Sequence, residues 1–483
     1  MGSISSDQSS TSPQTQHVVL FPFMAKGHTI PLLHFARLLL LRDLTVTFFT
    51  TPFNRPFIAQ SLFDTTATII DIPFPNNISD DIPAGTESTD KLPSLSLVYK
   101  FIAATKLMQP DFELALQNLP RVAFMVSDAF LWWTLDSTSK FDIPRLVFYG
   151  TSGYAISLSK EAGMSGFSGA QSNDELFALT RFPWIRLTKN DFDPEFLNAD
   201  PNGLAYNVIM NALSASMKSY GLVVNSFYEL EPAFIDYWKN ESASKTYCLG
   251  PFCLAEPPKI KDFENKPKWI LWLDQKLAQG RSVLYVAFGS QAEISAAQLK
   301  EIAIGLENSE VNFFWVMRNK GKKELDDEME GFEERVKDRG IVVRDWVEQR
   351  EILMHESVQG FLSHCGWNSV IESICAGVPI LAWPMTAEQP LNARMVNEEI
   401  KVGLRVETCD GTVKGFVKWE GLGKMVRELM EGEKGEEVRK KVKEFAVMAK
   451  KAVEEGGSSW RTLDLLIDET CRKKEQGDKE TFE

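Results

Sequence analysis

No run of apolar residues in this 483-residue chain is long enough to cross a bilayer. The longest, Ile30 to Leu41, is broken by Pro31, His34 and Arg37, whereas a spanning helix needs roughly 20 apolar residues. An export signal is also missing: residues 1–16, MGSISSDQSSTSPQTQ, have neither a basic start nor an apolar stretch, and read as a disordered polar tail. The expected location is the cytoplasm, without stable membrane insertion. Basic runs are scarce, and with a net charge of −14 the surface is a poor match for a phosphate backbone, which argues against nucleic acid as a partner. The six cysteines form no CxxC pair and no secreted-type framework, so reduced thiols are expected. No third and fourth ligand follow His364 and Cys365 at a zinc-like spacing, so neither a metal nor a cofactor is expected. No GxGxxG follows the first strand of either half, which excludes a dinucleotide-dependent oxidoreductase, and P-loop and GxSxG motifs are absent as well.

What remains is an acidic chain with 44% apolar residues, long enough for two domains of roughly 200 residues each. Short apolar strands alternate with helical segments. Val18 to Phe21, Thr45 to Thr50, Ala67 to Ile72, Val122 to Ser127, Arg145 to Tyr149 and Gly221 to Asn225 read as strands, with a helix from about Ile30 to Arg42. That alternation indicates a parallel sheet with helices on its faces. The loops Pro73 to Pro93 and Gly163 to Asn173 are long and polar or rich in Gly and Ser, the kind of segment on which binding specificity resides. Composition shifts to Pro, Lys, Glu and Asp over 251–268, which places a linker there between a first domain, 17–250, and a second, 269–460. In the second, Ser282 to Phe288, Asn312 to Arg318 and Ile341 to Arg344 read as strands, and Trp269 to Gln275 and Ala296 to Asn308 as helices. The Lys/Glu-dense stretch Glu431 to Gly457 reads as a solvated helix face.

The most informative stretch runs from Trp346 to Gln389. An apolar run, Gly360 to Leu362, ends in a polar turn, Ser363 to Trp367. Asn368 then opens a helical segment, Ser369 to Ala376, as its N-cap, and Gly377 stops it before a second apolar run, Val378 to Trp383. Strand, helix, strand forms a βαβ unit that binds ligands outside the carboxyl ends of its strands. Backbone N–H groups at the helix start favour an anion, and His364, Asn368 and Ser369 add side-chain donors. Glu372 shares the helix face of Asn368 and Ser369, close enough to accept from ribose hydroxyls. Glu388 and Gln389 close the stretch with a carboxylate and an amide suited to a sugar.

With its Trp, Gln, His, HCGWNS, Glu, GVP, WP and final Gln landmarks over 44 residues, this stretch resembles the signature box of plant secondary-product UDP-dependent glycosyltransferases. Glu348 and Gln359 depart from the commonest pattern, at positions to which the family assigns no sugar or phosphate contact. GHTIP (27–31), NSFYELEP (225–232), SVLYVAFGS (282–290) and GGSS (456–459) extend the resemblance over nearly the whole chain. It implies an α/β protein of GT-B architecture, with two Rossmann-like domains whose parallel sheets face a central cleft, the second holding the UDP-sugar and the first the acceptor. A final helix within 461–483 is expected to cross back to the first domain before a frayed tail. Trp346 would stack on uracil and Gln349 meet its edge; Ser290, His364, Asn368 and Ser369 would hold the phosphates, Glu372 the ribose, and Glu388 and Gln389 the sugar. Trp367 would add backbone contacts and packing. A terminal Gln is associated with glucose donors.

His28, just past the first strand, is the candidate base, since an imidazole can be neutral yet basic at neutral pH. Asp128, after the strand Val122 to Ser127, would set its tautomer and offset its charge. Both match the family's catalytic pair. Asp128 could alternatively cap the next helix, and His34 and His355 read as structural. Phe21, Phe23, Phe130, Trp132, Trp133, Phe148 and Tyr149 offer aromatic surface for an acceptor, although most suit a core. Gly150 stands where some relatives have a sugar-contacting Thr, leaving Thr151, Ser152 or neither as a substitute. The expected reaction is inverting transfer of glucose from UDP-glucose to a hydroxyl of a small hydrophobic metabolite, such as a flavonoid or other phenolic, by a monomer. A terpenoid acceptor, another UDP-sugar and a non-catalytic UDP-sugar binder remain alternatives.

Overall fold

Short β-branched and aromatic runs become two parallel sheets. The computed structural model describes residues 16–165, 172–192, 200–241, 244–255, 266–317, 331–413 and 415–472. The polar start up to residue 15, most of the linker, Arg318, part of the Gly163 to Asn173 loop and the tail after Arg472 lie outside them. In the first half the strands are β1 (His17–Phe21), β2 (Thr45–Thr50), β3 (Thr68–Asp71), β4 (Val122–Asp128) and β5 (Arg145–Phe148). A two-strand hairpin, β6 (Phe177–Ala178) and β7 (Arg186–Leu187), stands apart, and β8 (Gly221–Val224) and β9 (Lys245–Cys248) complete the half. The sheet order is β3-β2-β1-β4-β5-β8-β9, parallel throughout. Period-two alternation sends Val18 and Leu20 into one core and Val19 and Phe21 into the other. Both faces of this sheet are therefore covered.

The second half repeats the plan with β10 (Val283–Ala287), β11 (Asn312–Val316), β12 (Gly340–Val343), β13 (Val358–Ser363), β14 (Ile380–Ala382) and β15 (Gly403–Arg405). Its order is β12-β11-β10-β13-β14-β15, again parallel. Strand order reverses between β1 and β4 in the first sheet and between β10 and β13 in the second. Each reversal leaves a crevice beyond the strand ends. Strands β9 and β15 are too short and too mixed in composition to have been expected from the sequence.

The stretch from Glu433 to Val453 is one 21-residue helix that buries Val438, Val442, Phe445, Ala449 and Ala452 at three- and four-residue spacing and leaves its charges outside. A last helix, Ser458–Ile467, lies on the first sheet. Leu463 and Leu466 join the core of Val18 and Phe35, and Glu469 accepts from the Tyr247 hydroxyl at 2.6 Å. Among the described residues no helix is long and apolar enough to cross a membrane.

Candidate active site

The two crevices open into one cleft of 880 Å3. On the first-domain side, β1 ends at Phe21, and the Lys26–Leu40 helix starts with His28 in its first turn. That helix begins four residues before the expected Ile30, the chain leaving extended conformation at Ala25. Phe21 pairs with Ser127, so Asp128 at the end of β4 arrives beside the turn. The His28 Nδ1–H donates to Asp128 Oδ2 at 2.6 Å, which leaves Nε2 with the lone pair. The second carboxylate oxygen accepts from the Phe130 N–H at 3.0 Å, so Asp128 makes the turn contact weighed against catalysis as well as the histidine contact. Beneath it Arg145 is buried, donating to Ser127, Thr134, Ser219 and the Asp128 carbonyl. Desolvation pulls its pKa to about 10. Sequence reasoning placed Arg145 in a strand and missed this support.

Burial opposes protonation of His28, but the charge and hydrogen bond of Asp128 and the more distant charge of Glu388 outweigh it, and the net pKa is raised. Phe23 and Phe130 pack against the ring at 5.5 and 5.6 Å between centroids. Gly150, with φ of +71°, closes the remaining side: a Cβ there would lie 3.3 Å from His28 Nδ1. The departure at Gly150 thus has a local reason, since the backbone needs both the left-handed conformation and the missing side chain.

On the second-domain side, β13 ends at Ser363 and the chain turns through Cys365, whose φ of +64° is uncommon for a non-glycine. The helix then runs from Trp367 to Ala376, with Gly366 in the capping position and no side-chain cap. Asn368 is therefore not the N-cap. It lies inside the first turn, and its Nδ2 instead donates across the cleft to the Gly27 carbonyl at 2.7 Å. Gly377, with φ of +71°, stops the helix as expected. His364 is wedged between Gly289 and Gly366, where a Cβ on either would come within 2.6 Å of Nε2. Burial alone pulls its pKa down to about 4, and its Nδ1 has no hydrogen-bond partner among the described residues.

Gln349 Nε2 donates to Ser369 Oγ at 3.0 Å and to Glu372 Oε2 at 2.8 Å, joining three of the expected donor-site residues in one network. Burial pushes the Glu372 carboxyl up to about 7, against the Gln349 hydrogen bond. Gln389 Oε1 accepts from the Met385 and Thr386 N–H groups, which folds its loop and leaves the amide NH2 to act. Ser290, Trp346 and Glu388 also border the cleft. Trp367 is buried, and its indole N–H is committed to the Asn225 carbonyl, so its side chain ties the domains together.

Of the aromatic candidates, Phe23, Phe130 and Tyr149 line the cleft, whereas Phe21, Trp133 and Phe148 are core and Trp132 is not in the lining. Tyr99, Ile102, Ile156 and Leu213 were missed, because they come from helices whose apolar faces look like ordinary core. Thr151 also lines the cleft with a buried hydroxyl that has no partner among the described residues, while Ser152 Oγ is engaged by Asn392 at 2.9 Å. His34 is held neutral, chiefly by burial, and His355 bonds Ser357 and Asp274 away from the cleft. Among the described residues no group of three or more His, Cys, Asp or Glu side chains is placed to hold a metal ion.

Comparison with known proteins agrees with the two-domain fold. The family model described as UDP-glucoronosyl and UDP-glucosyl transferase matches residues 266–415. UDP-glycosyltransferase 90A1 of Arabidopsis thaliana is 54% identical over 96% of this chain and 98% of its own length. UDP-glucose flavonoid 3-O-glucosyltransferase 7 of Fragaria ananassa is 36% identical over 95% of this chain and 96% of its own. The crystal structure of Glycyrrhiza uralensis UGT73P12, complexed with glycyrrhetinic acid 3-O-monoglucuronide, superposes with a TM-score of 0.85 at 30% identity, covering 97% of this chain and 98% of that one. With two doubly wound domains around one cleft and relatives matching from end to end, the chain belongs to the plant UDP-glycosyltransferases of GT-B fold.

Proposed function

We propose that this UDP-glycosyltransferase transfers glucose from UDP-glucose to a hydroxyl of a small apolar metabolite, with inversion at the anomeric carbon. The observation that carries the reading is the 2.6 Å His28–Asp128 bond at the first switch point, facing the donor-side crevice across one cleft. Neutral His28 takes the acceptor hydroxyl's proton at Nε2, and Asp128 stabilises the resulting imidazolium. The acceptor oxygen bonds to the anomeric carbon as the bond to UDP breaks, and attack from the face opposite UDP gives a β-glucoside from an α-linked donor. The leaving diphosphate is met by the first-turn N–H groups of the Trp367–Ala376 helix and by donors on His364, Ser369 and Ser290, without a metal ion.

Trp346 and Gln349 hold the uracil, Glu372 the ribose, and Glu388 and Gln389 the sugar. Glucose as donor is supported by the terminal Gln389 and by the Fragaria relative. The apolar wall of Phe23, Tyr99, Ile102, Phe130 and Ile156 supports a flat phenolic such as a flavonoid. The ligand named for the Glycyrrhiza structure favours a terpenoid as the second reading. The six cysteines form no disulfide among the described residues, and five of them are buried, which fits a reducing cytoplasm.

Acceptor-dependent UDP release from UDP-glucose, with product masses recorded over flavonoids, simple phenols and terpenoid alcohols, tests the proposal. A hexose increment that disappears in His28→Ala supports it. UDP binding without transfer to any of these acceptors counts against it, and activity lost on chelation refutes the metal-free step.

A further inference from the structure

A second cavity, of 780 Å3, lies between the domains at the carboxyl end of β15 and shares no lining residue with the cleft. Its first-domain wall is the Thr188–Asp191 turn; the second domain contributes Trp383 just after β14, Arg394, and Arg405 at the end of β15. Arg394 Nε pairs with the buried Asp191 at 2.8 Å, and its Nη1 donates to both oxygens of Glu398. Arg405 is different. It is mostly enclosed, yet its guanidinium donates no hydrogen bond to any described residue. Asp191 and Glu398 attract it from a distance, but Arg394 already engages both carboxylates and repels Arg405. None of the other acids of the lining is bonded to it: Asp174 accepts from Asn190 and Glu428 from the Lys434 backbone, while Glu407 is exposed. Lys424 and Lys434 add cations at the rim.

A guanidinium carries five donors in a fixed planar fork that suits an oxyanion. One that is enclosed, without a hydrogen bond and facing a polar cavity with hydroxyl and amide neighbours, has the chemistry of a ligand. We infer that this second cavity binds the phosphate group of a small phosphorylated metabolite, with Arg405 as its main ligand and Lys424 and Lys434 at the rim. The six-residue Gln389–Arg394 helix connects it to the cleft, because Gln389 borders the cleft at one end and Arg394 the second cavity at the other. An anion held here acts on the sugar-facing loop and changes the KM for UDP-glucose.

The test is calorimetric titration of inorganic phosphate into protein already saturated with UDP, at constant ionic strength, so that the donor site is closed to the probe. Saturable binding that weakens about tenfold or more in Arg405→Met, the loss of a charge-assisted fork, with UDP affinity unchanged, is the expected result. Non-saturable heats, or equal binding by wild type and variant, overturn the site. If Arg405→Met no longer binds UDP and so fails to fold, Arg405→Lys decides. That variant keeps the charge but loses the fork, and about threefold weaker phosphate binding is then expected, whereas unchanged affinity overturns the proposal.

Discussion

Each domain places one histidine just beyond a strand at its switch point, and the two meet opposite environments. His28 follows β1 with Asp128 bonded to its Nδ1 and Glu388 nearby, and its pKa is raised despite burial. His364 follows β13 between two glycines, with no carboxylate partner among the described residues, and its pKa falls to about 4. The backbone device is the same. Partners decide the titration: one imidazole is stabilised as a cation by a carboxylate, the other is kept neutral by burial, which suits the base and the anion donor proposed for them. A histidine in the right place on a doubly wound sheet is thus no sign of a base until its neighbours are known.

The largest test of this contrast is His28→Ala, which should lower kcat by about 10²- to 10⁴-fold, the range for a lost general base, while UDP binding stays near wild type. Loss of UDP binding would instead make His28 structural. Asp128→Asn should cost about 10- to 10³-fold, in line with about 1–3 pK units of charge stabilisation removed. It should also move the acid limb of kcat/KM to lower pH, because the carboxylate is what raises the His28 pKa; a limb that does not move would refute that assignment.

On the donor side, Glu372→Gln should weaken uridine binding about tenfold, some 1.4 kcal/mol. With its carboxyl near 7, ionised wild type accepts better as pH rises, so the penalty should be larger at about pH 8 than at about pH 6. A pH-independent difference would separate Glu372 from the ribose. The smallest effect is expected for Gly150→Ala. Its left-handed backbone costs about 1–2 kcal/mol with a side chain, and the methyl would crowd His28, so a lower Tm and a several-fold drop in kcat should appear together. Unchanged kcat would show that the imidazole has room to spare.

Much of this was legible in the linear chain. Strand alternation, helix spacing, the Gly377 stop and the order of apolar runs depend on neighbours within a turn or two, so β1, β4, β10 and β13 could be located by inspection. The family landmarks pointed to His28, Asp128 and residues of the Trp346 to Gln389 box, and His28, Trp346, Gln349, His364, Asn368, Ser369, Glu372, Glu388 and Gln389 line one cleft, with Asp128 bonded to His28. Asn368 shows where local reasoning stops. Asn is a good cap by itself, but here the cap position went to Gly366 and its amide found Gly27, 341 residues away.

The sequence by itself therefore determined most of the elements, their order and the residue types able to do the chemistry, because these follow from short-range sterics and periodicity. Only the tertiary structure decided which groups meet: His28 with Asp128 across 100 residues, Gly150 against the imidazole, Arg145 under the carboxylate, and Arg405 enclosed with no hydrogen bond from its guanidinium to a described residue. Desolvation and Coulomb terms depend on distance in space, which chain separation does not encode, so pKa values and hydrogen-bond partners emerge only when the two sheets are packed.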